Sequence, residues 1–138
     1  MPFRAPVDVL RCILSHVAPM AKLVQTEAFA EATPDMTDAV LGEMGKLMEE
    51  VMEPTRRNGD IEGAVLENGV VRTSPGFKDA FQKLAEGGWI GISASTEYGG
   101  MGLPLAMTTA LHDMMSATNM ALGLNPLLTQ GQIEALEH

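Results

Sequence analysis

Residues 102–133 carry one charged side chain, Asp113. The run is long enough for two helices and gives them almost no polar face. Thr108, Thr109, Ser116, Thr118, Asn119 and Asn125 interrupt it too often for a membrane span, where polar groups are costly. A helix that is apolar on most sides is normally covered on most sides. Five or six short helices cannot fully wrap two of their own number. Some of this surface is therefore expected to be hidden by protein outside these 138 residues, or by a large apolar ligand.

The rest of the chain reads as helices that could supply part of that cover. Aromatics make up 4% and methionines number eleven, so core volume must come from Leu, Met, Ala and Val on helices. Val9, Leu10, Ile13, Leu14 and Val17 recur at helical spacing, and the helix should stop near Pro19. A second set of helical turns is expected over 20–30, with Leu23, Val24 and Phe29 inward. Thr33-Pro34 reads as an N-cap with proline at the first helical position. Val40, Leu41, Met44, Leu47, Met48 and Val51 then keep a 3.6-residue period up to Pro54, which should end the helix.

Arg56 to Asp60 is expected to be a polar turn. Asn68-Gly69, flanked by Ala64-Val65-Leu66 and Val70-Val71-Arg72, tolerates the positive φ of a two-residue hairpin loop. Ser74-Pro75 should cap a short helix whose buried face is Phe77, Ala80, Phe81 and Leu84, ended by Gly87-Gly88. Trp89-Ile90-Gly91-Ile92 is expected to be extended and buried. A helix follows from Pro104 through Leu111, Met114 and Met115, and another over 121–131 that Asn125-Pro126 should bend or restart. The expected fold is all-α: a single-domain bundle of about five or six helices with a short β-hairpin near residues 64–72.

A net charge of −9 argues against a phosphate-tracking surface for nucleic acid or anionic membrane. Residues 27–53 hold eight acids against Lys46 alone, which predicts a solvated outer face. One cysteine, Cys12, and no charged-then-apolar leader favour a cytoplasmic setting. The chain runs to Leu136-Glu137-His138 in mid-helix pattern without a cap, and an artificial boundary is expected there.

Catalytic chemistry is hard to find. Gly99-Gly100-Met101-Gly102 lacks the preceding strand and the spacing of a dinucleotide fingerprint, so a tight structural turn is the expected role. His16, His112 and His138 have no partners at metal-ligand spacing, and no metal is expected. Ser15-His16 and Cys12 lack the framework of a nucleophile. His112-Asp113 are helix neighbours, which do not face each other.

Gly87-Gly88-Trp89-Ile90-Gly91-Ile92, then Glu97-Tyr98-Gly99-Gly100-Met101-Gly102-Leu103-Pro104, then an apolar helix pair ending Leu127-Leu128-Thr129-Gln130-Gly131, closely resembles the N-terminal helical domain of acyl-CoA dehydrogenases. Residues 35–138 carry this resemblance and 1–34 form a helical lead-in. The earlier helices and the Glu67 to Thr73 hairpin look like the larger bacterial members, including those acting on 3-methylmercaptopropionyl-CoA.

The resemblance implies the first part of a three-part FAD enzyme. A central β-domain and a C-terminal helical bundle would complete it, with acyl-CoA as substrate, a homo-oligomeric assembly and a separate electron-transfer acceptor. It implies α,β-dehydrogenation to a trans-2-enoyl-CoA, with the α-proton made acidic by hydrogen bonds to the thioester carbonyl. The catalytic glutamate of such enzymes lies in the C-terminal bundle, so Glu97, Glu134 and Glu137 inherit no such role. No catalytic, cofactor or metal residue is expected in this chain, and the fragment alone should be inactive. Ala121, Leu122, Leu124, Pro126 and Leu128 are the expected wall of the acyl pocket, with Leu124 near its bottom; plain core packing is the competing reading for each. Two alternatives for the whole chain are a stand-alone helical interaction or dimerisation module and a small carrier of apolar ligands.

Overall fold

The computed structural model describes residues 2–18 and 20–137. Among the described residues six α-helices and one hairpin make a small, mostly α bundle. They are α1 (Val7–His16), α2 (Met20–Leu23), α3 (Pro34–Leu47), α4 (Glu53–Ile61), β1 (Val65–Glu67), β2 (Val70–Arg72), α5 (Phe77–Glu86) and α6 (Leu105–Glu137). The core is built where α6 packs on α3 and α4, and Leu41, Met44, Met48, Met52, Leu84, Met107, Leu111, Met114 and Met115 are all buried there. Methionine's unbranched side chain suits such irregular contacts between short helices. No helix among the described residues is long and apolar enough to cross a membrane.

Several local expectations hold. Thr33 Oγ1 accepts the Met36 amide at 3.3 Å and caps α3, with Pro34 following. β1 and β2 pair antiparallel, Leu66 against Val71, around Asn68 and Gly69 at φ 52° and 78°. Gly87 and left-handed Gly88 end α5, whose Ala80 and Leu84 are buried.

Other expectations are corrected. Pro54 does not end the second long helix. Residues Met48–Met52 form a π-turn, in which the Glu53 amide reaches back to Met48. The wider turn delivers Pro54 to the start of α4, where its missing N–H is harmless. Arg56 to Asp60 are therefore helical instead of a polar turn. The turns over 20–30 shrink to α2 and a 3₁₀ turn at Glu27–Phe29. On α1 only Leu10 and Leu14 are buried, while Val9, Ile13 and the following Val17 are exposed, because the helix packs mainly on α3 and α2. Pro19, the expected stop, lies outside the described residues, as does His138.

Ser74 does not cap α5 with its side chain; left-handed Gly76 stands at the cap position, and the Phe77 amide bonds the Ser74 carbonyl at 3.1 Å. Trp89–Gly91 is a 3₁₀ turn with Trp89 and Ile90 half-buried, not an extended segment, and only Ile92 is fully buried.

The first residues of the lead-in are fastened by a carboxylate of the π-turn. Glu49 accepts the Ala5 amide at 2.9 Å and Arg4 Nη1 at 2.8 Å. The backbone hydrogen bond from Ala5, and then Arg4, hold the Glu49 carboxyl below its ordinary value of 4.5. A depressed folded-state value contributes stability above the unfolded value that is lost as pH falls through the folded one. Glu49 is partly exposed, so the effect is modest. Acidification from pH 6 to below 4 should lower the protection factor of the Ala5 amide, its exchange measured relative to the intrinsic rate at each pH, and Glu49→Gln should flatten that pH dependence. An Ala5 amide equally protected at both pH values would contradict this assignment.

Candidate functional site

The break in α6 sets the geometry of the apolar third. Asn119 lies outside helical space at φ −153° and ψ 84°, and divides α6 into arms 105–118 and 120–137. Pro126 sits inside the second arm. The arms fold back on each other: His112 Nε2 contacts Gln130 Oε1, and a Cβ added to Gly123 would lie 3.2 Å from Met115. The break falls at Asn119, between the two expected helices, because Asn119 is equipped as an N-cap, and Asn125-Pro126 adds no second break. Its Oδ1 accepts the Leu122 amide at 3.2 Å, while its Nδ2 donates to Thr55 Oγ1 at 2.9 Å. Thr55 Oγ1 in turn donates to the Met52 carbonyl at 2.8 Å. Both side chains are buried, and the chain of bonds ties the kink to the π-turn.

The first arm buries one face, with Met107, Ala110, Leu111, Met114 and Met115 inside. The second arm has a bare flank. Met120, Leu124, Leu127 and Leu128 follow one helical stripe and are 60%, 54%, 46% and 70% exposed. The five expected pocket residues divide among three faces. Leu122 and Pro126 point inward and are buried. Leu124 and Leu128 lie on the exposed stripe. Ala121 and Leu122 line a groove of about 720 Å³ between α5, the hairpin and the second arm, together with Phe77, Phe81 and Asn125. The groove thus draws on two of the five, and the stripe on two others.

Phe77 and Phe81, on the expected face of α5, are half-buried; they pack against the core and also line this groove. Arg72 and Lys78, at the same groove, carry no sequence signal of their own, because only folding brings the hairpin beside α5 and α6.

The glycine run is structural. The amides of Gly99, Gly100, Met101, Gly102 and Leu103 bond the carbonyls of Thr96, Ser95, Gly91, Ala94 and Ile92 at 3.0–3.2 Å. These donors are committed within the loop, so the run does not fit a flavin pyrophosphate, which would need free amides. No step through a flavin is assigned to these residues. Among the described residues no group of three or more His, Cys, Asp or Glu is placed to hold a metal ion. Cys12 is exposed, and the His16 ring nitrogen nearest it bonds the Cys12 carbonyl at 3.0 Å, a local helix contact.

The family model of the acyl-CoA dehydrogenase N-terminal domain matches residues 37–136. The chain belongs to the acyl-CoA dehydrogenase family. The match begins within α3 and runs through both arms of α6, so the groove and the bare stripe both lie inside the family region. The 3-methylmercaptopropionyl-CoA dehydrogenase of Ruegeria pomeroyi is 35% identical over 136 residues, which is 99% of this chain. The chain spans 23% of that relative's length.

Proposed function

We propose that the chain acts as the N-terminal helical part of a FAD-dependent acyl-CoA dehydrogenase that converts an acyl-CoA thioester to a trans-2-enoyl-CoA. The observation that carries this reading is the bare stripe of Met120, Leu124, Leu127 and Leu128 within the family region. A contiguous apolar flank of this kind is a packing surface. In the proposed enzyme a β-domain and a C-terminal helical bundle of the same polypeptide cover it. They also hold the FAD and the catalytic base. This chain contributes a wall of the acyl pocket through Ala121 and Leu122 at the groove, while Leu124 and Leu128 on the covered stripe and buried Pro126 serve packing, the competing reading for them. The enzyme works in the cytoplasm as a homo-oligomer and passes electrons to a separate acceptor.

Two measurements test the reading. The 138-residue chain, equilibrated with FAD and desalted, should keep no flavin and form no enoyl-CoA; stoichiometric flavin retention would overturn it. In the holoenzyme, Ala121→Leu should raise KM for long acyl chains by about tenfold while sparing kcat on short ones, as expected when a few methylene groups are excluded from an apolar pocket. An unchanged chain-length profile would remove Ala121 from the wall.

A further inference from the structure

The groove beside Ala121 reverses the electrostatics of the molecule. The chain carries −9, yet among the described residues that line the groove, Arg72 and Lys78 are cationic and none is acidic. Its floor is apolar, from Phe77, Phe81 and Leu122. Arg72 has an acidic neighbour outside the lining, Glu67 at 3.3 Å, but both partners are largely exposed. Such a pair is weak, and a guanidinium has five N–H donors, so a second carboxylate can still be bound. An apolar cleft with a cationic edge in an acidic protein selects a ligand that is itself an apolar chain with an anionic group.

On the reading that this groove holds the acyl chain, we propose that it selects acyl groups whose far end bears a carboxylate, with Arg72 and Lys78 as the specificity-determining residues. A groove of about 720 Å³ has room for a medium-length acyl chain with its terminal carboxylate. The anion that the cations meet is then the substrate's own distal group.

The test compares two thioesters of N-acetylcysteamine, which lack all phosphates: the octanoyl ester and its 7-carboxyheptanoyl counterpart, titrated calorimetrically into the full-length enzyme. The carboxylated ester should bind about five- to tenfold tighter at low salt. The preference should shrink at high salt and vanish in an Arg72→Gln/Lys78→Gln variant that still binds the octanoyl ester. Equal binding of the two esters would overturn the selectivity and leave the acyl groove standing. Binding of neither would overturn both. Free coenzyme A that binds the wild type and loses affinity in the double variant would assign the cations to phosphate and overturn the proposal.

Discussion

A Gly100→Ala variant is expected to lose about 3 kcal/mol of stability, near the upper end for one added methyl group in a packed site. A Cβ at this position would lie 2.1 Å from the Ala94 carbonyl oxygen and 2.4 Å from its carbon. Those atoms are backbone, so no side-chain rotation relieves the clash. The loop must open instead, and the bonds that close it go with it: Gly100 to Ser95, Met101 to Gly91, Gly102 to Ala94 and Leu103 to Ile92, each 3.0 Å. Buried Ile92 and Leu103 hang from that ladder, which sets the entry of α6 into the core.

The same substitution elsewhere provides the control. Gly42, inside α3, has nothing within 4 Å of an added Cβ, and Gly42→Ala should stabilise by about 0.5–1 kcal/mol through helix propensity. Urea midpoints of the two variants should move in opposite directions. A Gly100→Ala midpoint within error of wild type would show that Ala94 and Gly100 do not approach as described.

That contrast marks how far the sequence could be read. The periodicity of Leu41, Met44 and Met48 predicts burial correctly, because one helix face against one core is a local pattern. Asn68-Gly69 predicts its hairpin because positive φ at two adjacent residues is a local requirement. Pro54 misleads, since the rule that proline ends a helix assumes α geometry before it, and the π-turn at Met48–Met52 changes that register. Trp89 to Ile92 misleads because three apolar residues in four fit a buried strand or a 3₁₀ turn equally well.

The candidate site is legible only in part, and for a related reason. The exposed stripe of Leu124 and Leu128 follows from a helix too apolar for its own surroundings. The groove does not follow, because Phe77, Arg72 and Ala121 come from three elements whose meeting depends on where α6 bends. The sequence places a break between Met115 and Ala121, where Asn119 indeed lies, but not its exact residue, and the further break expected at Asn125-Pro126 is absent, since Pro126 lies within the second arm. The usable signal was Thr118-Asn119, a poor helix interior and a good N-cap.

Asn119→Ala should therefore do more harm than its size implies, costing about 2–3 kcal/mol. Loss of an N-cap accounts for about 1 kcal/mol. The Leu122 amide, buried and bonded to Asn119 Oδ1, would also lose its partner, at about 1–3 kcal/mol where the site cannot admit water. The two costs overlap, so they do not simply add. Thr55→Val tests the other half of the link, since it keeps the cap but removes the acceptor for Asn119 Nδ2 and the donor to Met52. If the bonds act as one unit, the double variant should be about 1 kcal/mol more stable than the summed single losses predict. The same pair separates packing from positioning at the groove. Ala121, Leu122 and Asn125 lie on the arm that Asn119 aims, whereas Phe77 and Phe81 do not. Hydrogen exchange in Asn119→Ala should accordingly rise along 120–131 while α5 stays protected. Uniform loss of protection across both would make Asn119 an ordinary core residue and not the hinge that places the second arm.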